Sequence, residues 1–442
     1  TLDNVGSDPA LREKNGMPDF KQHDLRKRLH DEVHARPPNA ISAPAQVCHL
    51  AFLSPRENGA AEEAHLRTLA DAFGAPGPES GTNHYVGELG PLRINWERHA
   101  EFARYTLISN GPDIVPFQTS LLGQLPVDWL SNVQGEVIAA IELGMLRTTL
   151  PDQLDAISEL YFNGNSVIGS LVSDGTAAAF TDFRISSNDK SKIVVYDLGM
   201  SPRQAGRVAQ RLLEIETYRM MALLALPHAQ ALRPYLDNSE RELVDLSARM
   251  ASASADDEPR LLEQLTELEA TIQKRQAESH YRLGAAAAYY EIVERRIREL
   301  REQRISGFQT FREFVERRLV PAMSTCRAVS VSSAQLSERI ARSTALLSTR
   351  VEVARQDQNR ALLASVARRA KLQLRLQRTV EGLSIAAITY YIVGLLSYGW
   401  KALDGAGLNI NSDFLTGLSV PLVLLIVAVG VNRIRKWLTF KP

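Results

Sequence analysis

Two apolar runs close the chain, and they constrain its fold more than any other feature. Residues 382–400 read GLSIAAITYYIVGLLSYGW and residues 415–431 read LTGLSVPLVLLIVAVGV. Neither contains a charged side chain, and each is about the minimum length for a helix crossing the roughly 30 Å hydrocarbon core. A short polar stretch, 401–414, separates them. The pattern predicts a membrane hairpin with the remaining residues on one side of a bilayer.

Charge predicts which side. Arg368, Arg369, Lys371, Arg375 and Arg378 precede the first run, and Arg433, Arg435, Lys436 and Lys441 follow the second. The connecting loop holds Lys401, Asp404 and Asp413. Cationic flanks stay cytoplasmic, so both termini are expected in the cytoplasm, with the loop outside. Tyr398 and Trp400 at one end and Trp437 at the other suit the aromatic belts of a bilayer.

The 442 residues allow two or three domains. Basic and acidic residues balance at 51 each, which gives no electrostatic case for nucleic acid. No apolar stretch lies near the first residues, so a secretory signal is not expected. Cys48 and Cys326 fit no metal spacing and suit a reducing compartment.

Residues 1–40 read as a polar arm with one short helix near 24–33, stopped by Pro37 and Pro38. Residues 41–200 read as a mixed domain with strands at 45–53, 84–96, 102–109, 136–143, 166–172, 177–185 and 193–196. Gly90-Pro91 breaks the second of these into a hairpin-like pair. Helices are expected at 60–73 and 152–160. Strands paired in hairpins with few helices between them favour α+β over a doubly wound sheet.

From Ser201-Pro202, an N-cap followed by proline at the first helical position, almost everything reads as helix. The first helix runs to about 225, and ASASADD at 251–257 is a polar break. Leu261, Leu265, Leu268 and Ile272 form a heptad seam. Gly284 and the four alanines after it suggest close helix packing. Phe308, Phe311 and Val315 continue an apolar face, and Pro321 predicts a kink or break. Residues 333–377 contain no proline or glycine. Leu336, Ile340, Leu347 and Val351 keep heptad spacing there, and Leu362, Val366 and Leu374 extend the stripe. A helix continuous from 333 to 400 would be roughly 100 Å long and needs partner helices.

HDLRKRLHDEVHARPP (23–38) and QLRLQRTVEGLSIAAITYYIVGLLSYGW (373–400) resemble a bacterial family of uncharacterised membrane-anchored proteins, known as a domain of unknown function. The resemblance covers essentially the whole chain and implies a location without a chemistry. In architecture the chain is also similar to the CorA-type divalent-cation channels: a cytosolic α/β domain, a long stalk helix entering the first of two C-terminal spans, a short outer loop and a basic tail. That resemblance implies a funnel-shaped pentamer whose first span lines the pore. The family's Gly-Met-Asn signature, usually preceded by Tyr, meets Tyr398-Gly399-Trp400 here, so the Met and the Asn are missing. Asp404, Asn409, Asn411 and Asp413 are the loop's alternative oxygen ligands at an outer mouth.

Ser384, Tyr391 and Tyr398 are seven residues apart and share a heptad face, which with Gly399 makes them the pore-lining candidates. The bland reading of such hydroxyls, with Thr389 and Ser397, is helix packing. The basic cluster 368–378 would form a collar at an inner pore mouth, which disfavours simple cation attraction.

His30 and His34 share one helix face and have the spacing of a metal pair. In the metalloprotease motif Glu follows the first His directly, whereas Asp31 stands there in this chain and Glu32 points roughly 200° away. The arm, with His30, Glu32, His34 and Arg36, therefore reads first as a docking segment, and a metal role stays open. No nucleophile elbow, P-loop or dinucleotide fingerprint is present, and an enzyme is not expected.

The expected architecture is an α+β cytosolic domain, a long-helix and coiled-coil region and a C-terminal two-helix transmembrane hairpin. Its segments are 1–40, 41–200, 201–380 and 381–442. The leading functional expectation is a CorA-like homo-oligomeric channel or transporter of the bacterial inner membrane, pentameric if the resemblance holds. The alternative is a scaffold or sensor whose hairpin only anchors it. The lipid bilayer and further copies of the chain are the expected partners. No cofactor is required, and a divalent cation stays open as a ligand.

Overall fold

The computed structural model describes residues 23–27, 29–30, 39–405 and 411–439. They form two compact units. The first comprises residues up to 246 together with 266–341, and the second comprises 247–265 and the residues from 342 onward.

A nine-stranded sheet dominates the first unit. Its strands are β1 (Ala45–Leu53), β2 (His84–Leu89), β3 (Leu92–Arg98), β4 (Phe102–Asn110), β5 (Glu136–Leu146), β6 (Ile168–Val172), β7 (Ala177–Ile185), β8 (Ser191–Asp197) and β9 (Gln303–Arg304). Their order is β2-β3-β4-β1-β5-β8-β7-β6-β9. Only β5 and β8 pair in parallel between named strands, and this junction fuses two antiparallel halves. The α+β expectation therefore holds. Gly90, at φ 62°, turns the chain between β2 and β3, as Gly90-Pro91 suggested.

Among the described residues the longer α-helices are α1 (Gly59–Ala72), α2 (Ala156–Phe162), α3 (Pro202–Leu223), α4 (Ala225–Ser252), α5 (Glu258–Leu300), α6 (Phe311–Gly405) and α7 (Ser412–Thr439), with three single-turn 3-10 helices in the loops. Strand alternation sets the cores. Leu50, Phe52, Ile94, Trp96, Tyr105 and Leu107 meet Leu66 and Leu69 of α1 and Trp129 of the following loop. Phe180, Val194 and Tyr196 meet Ile157 and Phe162 of α2 and Phe308.

Ser201 caps α3 through a reciprocal box with Gln204, and Pro202 occupies its first turn. The seam Leu261, Leu265, Leu268 and Ile272 is buried, as its spacing required. Two expectations are corrected. Pro321 does not stop the chain into separate helices, since α6 runs through it. Proline removes one helical hydrogen bond, and burial of Val315, Leu319, Met323, Cys326 and Val329 on either side holds the helix together. Gly284 does not mark close packing, because a Cβ there would meet nothing within 4 Å. It lines an open groove of about 460 Å³ with Tyr290, Met323 and Arg327, while its neighbour Ala286 is packed.

Among the described residues two helices, α6 and α7, are long and apolar enough to cross a membrane. The long C-terminal helix is more extended than its sequence pattern indicated, with 95 residues from Phe311 to Gly405.

Candidate functional site

The sheet face opposite Trp96 and Tyr105 carries polar side chains where a helix covers it. Alternation along β1, β3 and β4 sends His49, Asn95, Glu97, Arg104 and Thr106 to this face, and all five line one pocket beneath α3. Register aligns them: His49 lies opposite Thr106, Asn95 opposite Thr106 across the next strand pair, and Glu97 opposite Arg104. Helical spacing then brings Gln210, Glu214 and Thr217 of α3 over the strands.

His49 is 2 % exposed and both of its ring nitrogens are engaged. Nδ1 lies 2.8 Å from the Thr106 hydroxyl and Nε2 lies 3.1 Å from the Thr217 hydroxyl. Thr217 spends its proton on the Leu213 carbonyl at 2.8 Å. Its oxygen therefore accepts, which assigns the proton of the neutral ring to Nε2 and leaves Nδ1 to accept from Thr106. Burial, reinforced by the Arg104 charge, pushes the His49 pKa down to about 3.

Arg104 anchors a chain of alternating charges. It pairs with Glu97 and with Glu214, the latter at 3.3 Å. Glu214 also accepts from Gln210 at 2.8 Å and from Arg296 of α5. Arg296 reaches Glu299 at 2.8 Å, and Arg211 reaches the same carboxylate at 3.2 Å. Burial alone would lower the Arg104 pKa. The carboxylates of Glu97 and Glu214 more than reverse this, so the guanidinium stays charged.

Between these groups lies a cavity of about 40 Å³. That is room for a few water-sized groups, at roughly 10–15 Å³ each. The chain entering β1 lines one side of it. The Ile41 N–H donates to the Pro202 carbonyl at 3.0 Å, and Asn39 crosses α3 at Gly206. The chemistry on offer is recognition by paired hydrogen-bonding groups. His49 has no free lone pair for proton transfer unless a hydrogen bond breaks first, and among the described residues no group of His, Cys, Asp and Glu is arranged to hold a metal.

The sequence-derived candidates lie elsewhere and are not brought together with this pocket. Ser384 is exposed and donates to its own helix at the Val380 carbonyl, 2.8 Å away. Thr389 and Ser397 do the same at Ile385 and Gly394. Tyr391 and Tyr398 are 71 % and 74 % exposed, and Gly399 has open space around it. Asp404 and Asp413 are exposed, the latter in the first turn of α7. Asn411 accepts from the Phe414 N–H at 3.2 Å, the hydrogen bond of a helix cap. His30 is helical and exposed. Glu32, His34, Arg36 and Asn409 lie outside the described residues.

The described residues thus define an α+β sheet domain joined to a long C-terminal helix and a terminal apolar helix. The chain belongs to the family described as Protein of unknown function (DUF3422), whose model matches residues 21–438. No curated protein matches it. No solved structure matches it either, so the architectural similarity to CorA-type channels has no support from relatives.

Proposed function

We propose that this protein is a membrane-anchored sensor or scaffold of the bacterial inner membrane, with the two apolar helices as its anchor and both termini in the cytoplasm. One observation carries the reading: the sheet is tied directly to the first turn of the helix that contains the first apolar run. Glu302 accepts the backbone N–H groups of Phe311 and Arg312, each at 3.0 Å, and the Ser170 hydroxyl of β6 at 2.9 Å. A carboxylate at this end of α6 also complements the helix dipole. Phe183, bulged from β7 at φ 52°, stacks on Phe314 one turn further on, with centroids 4.4 Å apart. A change at the sheet edge would therefore be felt where α6 begins.

Fractionation tests the anchor. The full chain should resist alkaline extraction from membranes, while a chain ending at residue 381 should be released. Release of the full chain would refute the reading.

The second reading is a homo-oligomeric channel of CorA-like plan, with Ser384, Tyr391, Tyr398 and Gly399 lining a pore and Asp404 at its mouth. The observation favouring it is that Tyr391 and Tyr398 lie one heptad apart on α6, both exposed. It predicts cation flux in proteoliposomes that Tyr391→Ala changes. Absence of flux from a reconstituted, closed oligomer would leave the anchor reading alone.

A further inference from the structure

Every residue from 355 to 380 of α6 is exposed, a bare helical stretch of roughly 40 Å at 1.5 Å per residue. It is not a uniformly polar helix. Leu362, Val366, Leu376 and Val380 are 63 %, 61 %, 69 % and 56 % exposed. At about 100° per residue these four fall within an arc of about 80°, while Leu363, Leu372 and Leu374, also exposed, lie about 80–120° to either side, so Leu374 does not continue the stripe as its spacing suggested. Of the seven cations in this stretch, Arg360, Lys371, Arg375 and Arg378 fall within an arc of about 60° on the opposite side and Arg368 flanks them, whereas Arg355 and Arg369 lie on the apolar side. The seam 362, 366, 369, 373, 376, 380, 383 steps alternately by four and three residues. Only Arg369 and Gln373 interrupt it with polar side chains.

We infer that this seam pairs with the same seam of a second copy of the chain, in parallel and in register. The inference rests on the anchored reading for its orientation. Within the second unit the last cover over α6 is the α4–α5 connection: Leu347 is buried, and Arg350 reaches the Met250 carbonyl at 3.4 Å and pairs with Glu258. Beyond that point the stripe continues with nothing over it, and a lone amphipathic helix of this length gains little from propensity alone.

Three properties select the occupant. Four of the seven cations between 355 and 378 lie on the side away from the seam, so closing two seams leaves most of the positive charge outside, with Arg369 as the seam's own cation. An acidic partner would use that basic face and leave the leucines bare. A lipid surface is disfavoured as the cover, because α6 continues without a break from this stretch into the apolar run of 382–400. A helix entering the bilayer cannot also lie flat along it over the preceding stretch. Copies anchored in one membrane hold identical residues at the same height, which raises their effective concentration and allows only the parallel arrangement. Arg369 and Gln373, four residues apart, then form two successive polar layers, each set against its own copy, of the kind that fixes register at a cost in stability.

Disulfide trapping on the full chain in native membranes tests this. Both native cysteines are buried, so introduced ones report alone. Leu362→Cys and Leu376→Cys place thiols on the seam, and Lys371→Cys and Arg378→Cys place them opposite. Under copper–phenanthroline oxidation, the seam variants should give at least tenfold more covalent dimer than the opposite-face variants. Equal or absent cross-linking in all four overturns the proposal, whether the helix is then covered by lipid or by another protein. Cross-linking between Leu362→Cys and Leu383→Cys in a mixed sample, in preference to like with like, overturns the parallel register. Alkaline extraction on the same samples separates the two ideas: a seam pattern in extractable protein keeps the pairing and refutes the anchor.

Discussion

The carbonyl oxygen of Asn39 passes so close to Gly206 that a Cβ at residue 206 would lie 1.7 Å from it. The obstacle is backbone on both sides, and the Ile41–Pro202 hydrogen bond pins it two residues on. Neither partner can swing aside as a flexible side chain would. Gly206→Ala should therefore destabilise the protein by at least the about 1–3 kcal/mol typical of overpacking. Chemical unfolding of the detergent-purified chain measures this, and a midpoint equal to wild type would refute the close crossing.

Gly284 gives the opposite sign. It sits inside α5, has an ordinary helical φ and faces open space. Alanine there removes the entropic penalty of a mid-helix glycine without meeting a neighbour, so Gly284→Ala should stabilise by about 0.5–1 kcal/mol. A loss of stability in the same unfolding assay would mean that the groove beside it is filled in the working protein.

Arg104 is 6 % exposed and neutralises two carboxylates at once. Arg104→Met keeps much of the volume but leaves Glu97 and Glu214 facing one another without their shared cation. The expected cost is about 3–5 kcal/mol, the range for breaking a buried ion pair from one side. Arg275→Ala serves as the contrast. Its pair with Glu278 is about half exposed on both sides, and exposed pairs of this kind are worth about 0–1 kcal/mol. Similar losses for the two variants would show that the layer under α3 is open to solvent.

The two apolar runs, the seam at Leu261 to Ile272, the Ser201 cap and the Gly90 turn were all legible in the sequence because each is a local signal. Period, capping chemistry and left-handed backbone operate within a few residues. The polar layer was not legible for the same reason. Asn95, Glu97, Arg104 and Thr106 alternate with apolar residues, as on any strand with one wet face, and nothing local says that α3 will cover them. A trace existed in α3 itself, where Glu214 and Thr217 interrupt the apolar run LLEIETY. Polar residues on the inner face of a helix need partners, and theirs come from strands more than a hundred residues earlier. The parallel β5–β8 junction and the two-residue β9 likewise depend on pairings remote in sequence.

His49 sets the pH dependence of this layer. Its ordinary pKa of 6.5 falls to about 3 in the folded protein. Between those values the unfolded chain binds a proton that the native state refuses, so stability rises with pH across that window. Above pH 6.5 the group is neutral in both states and contributes no slope. Acidification from pH 6.5 towards 3 should therefore cost up to about 1.4 kcal/mol per pH unit from this residue alone. Carboxylates also respond to acid, so the informative quantity is the difference between wild type and His49→Gln. Glutamine has no proton to gain, and its amide offers both a donor and an acceptor to Thr106 and Thr217. The variant should unfold with a visibly flatter pH dependence between 6.5 and 4.5, followed by thermal unfolding in matched buffers. Parallel pH profiles for the two proteins would mean that His49 is protonated, or reached by solvent, in the native state.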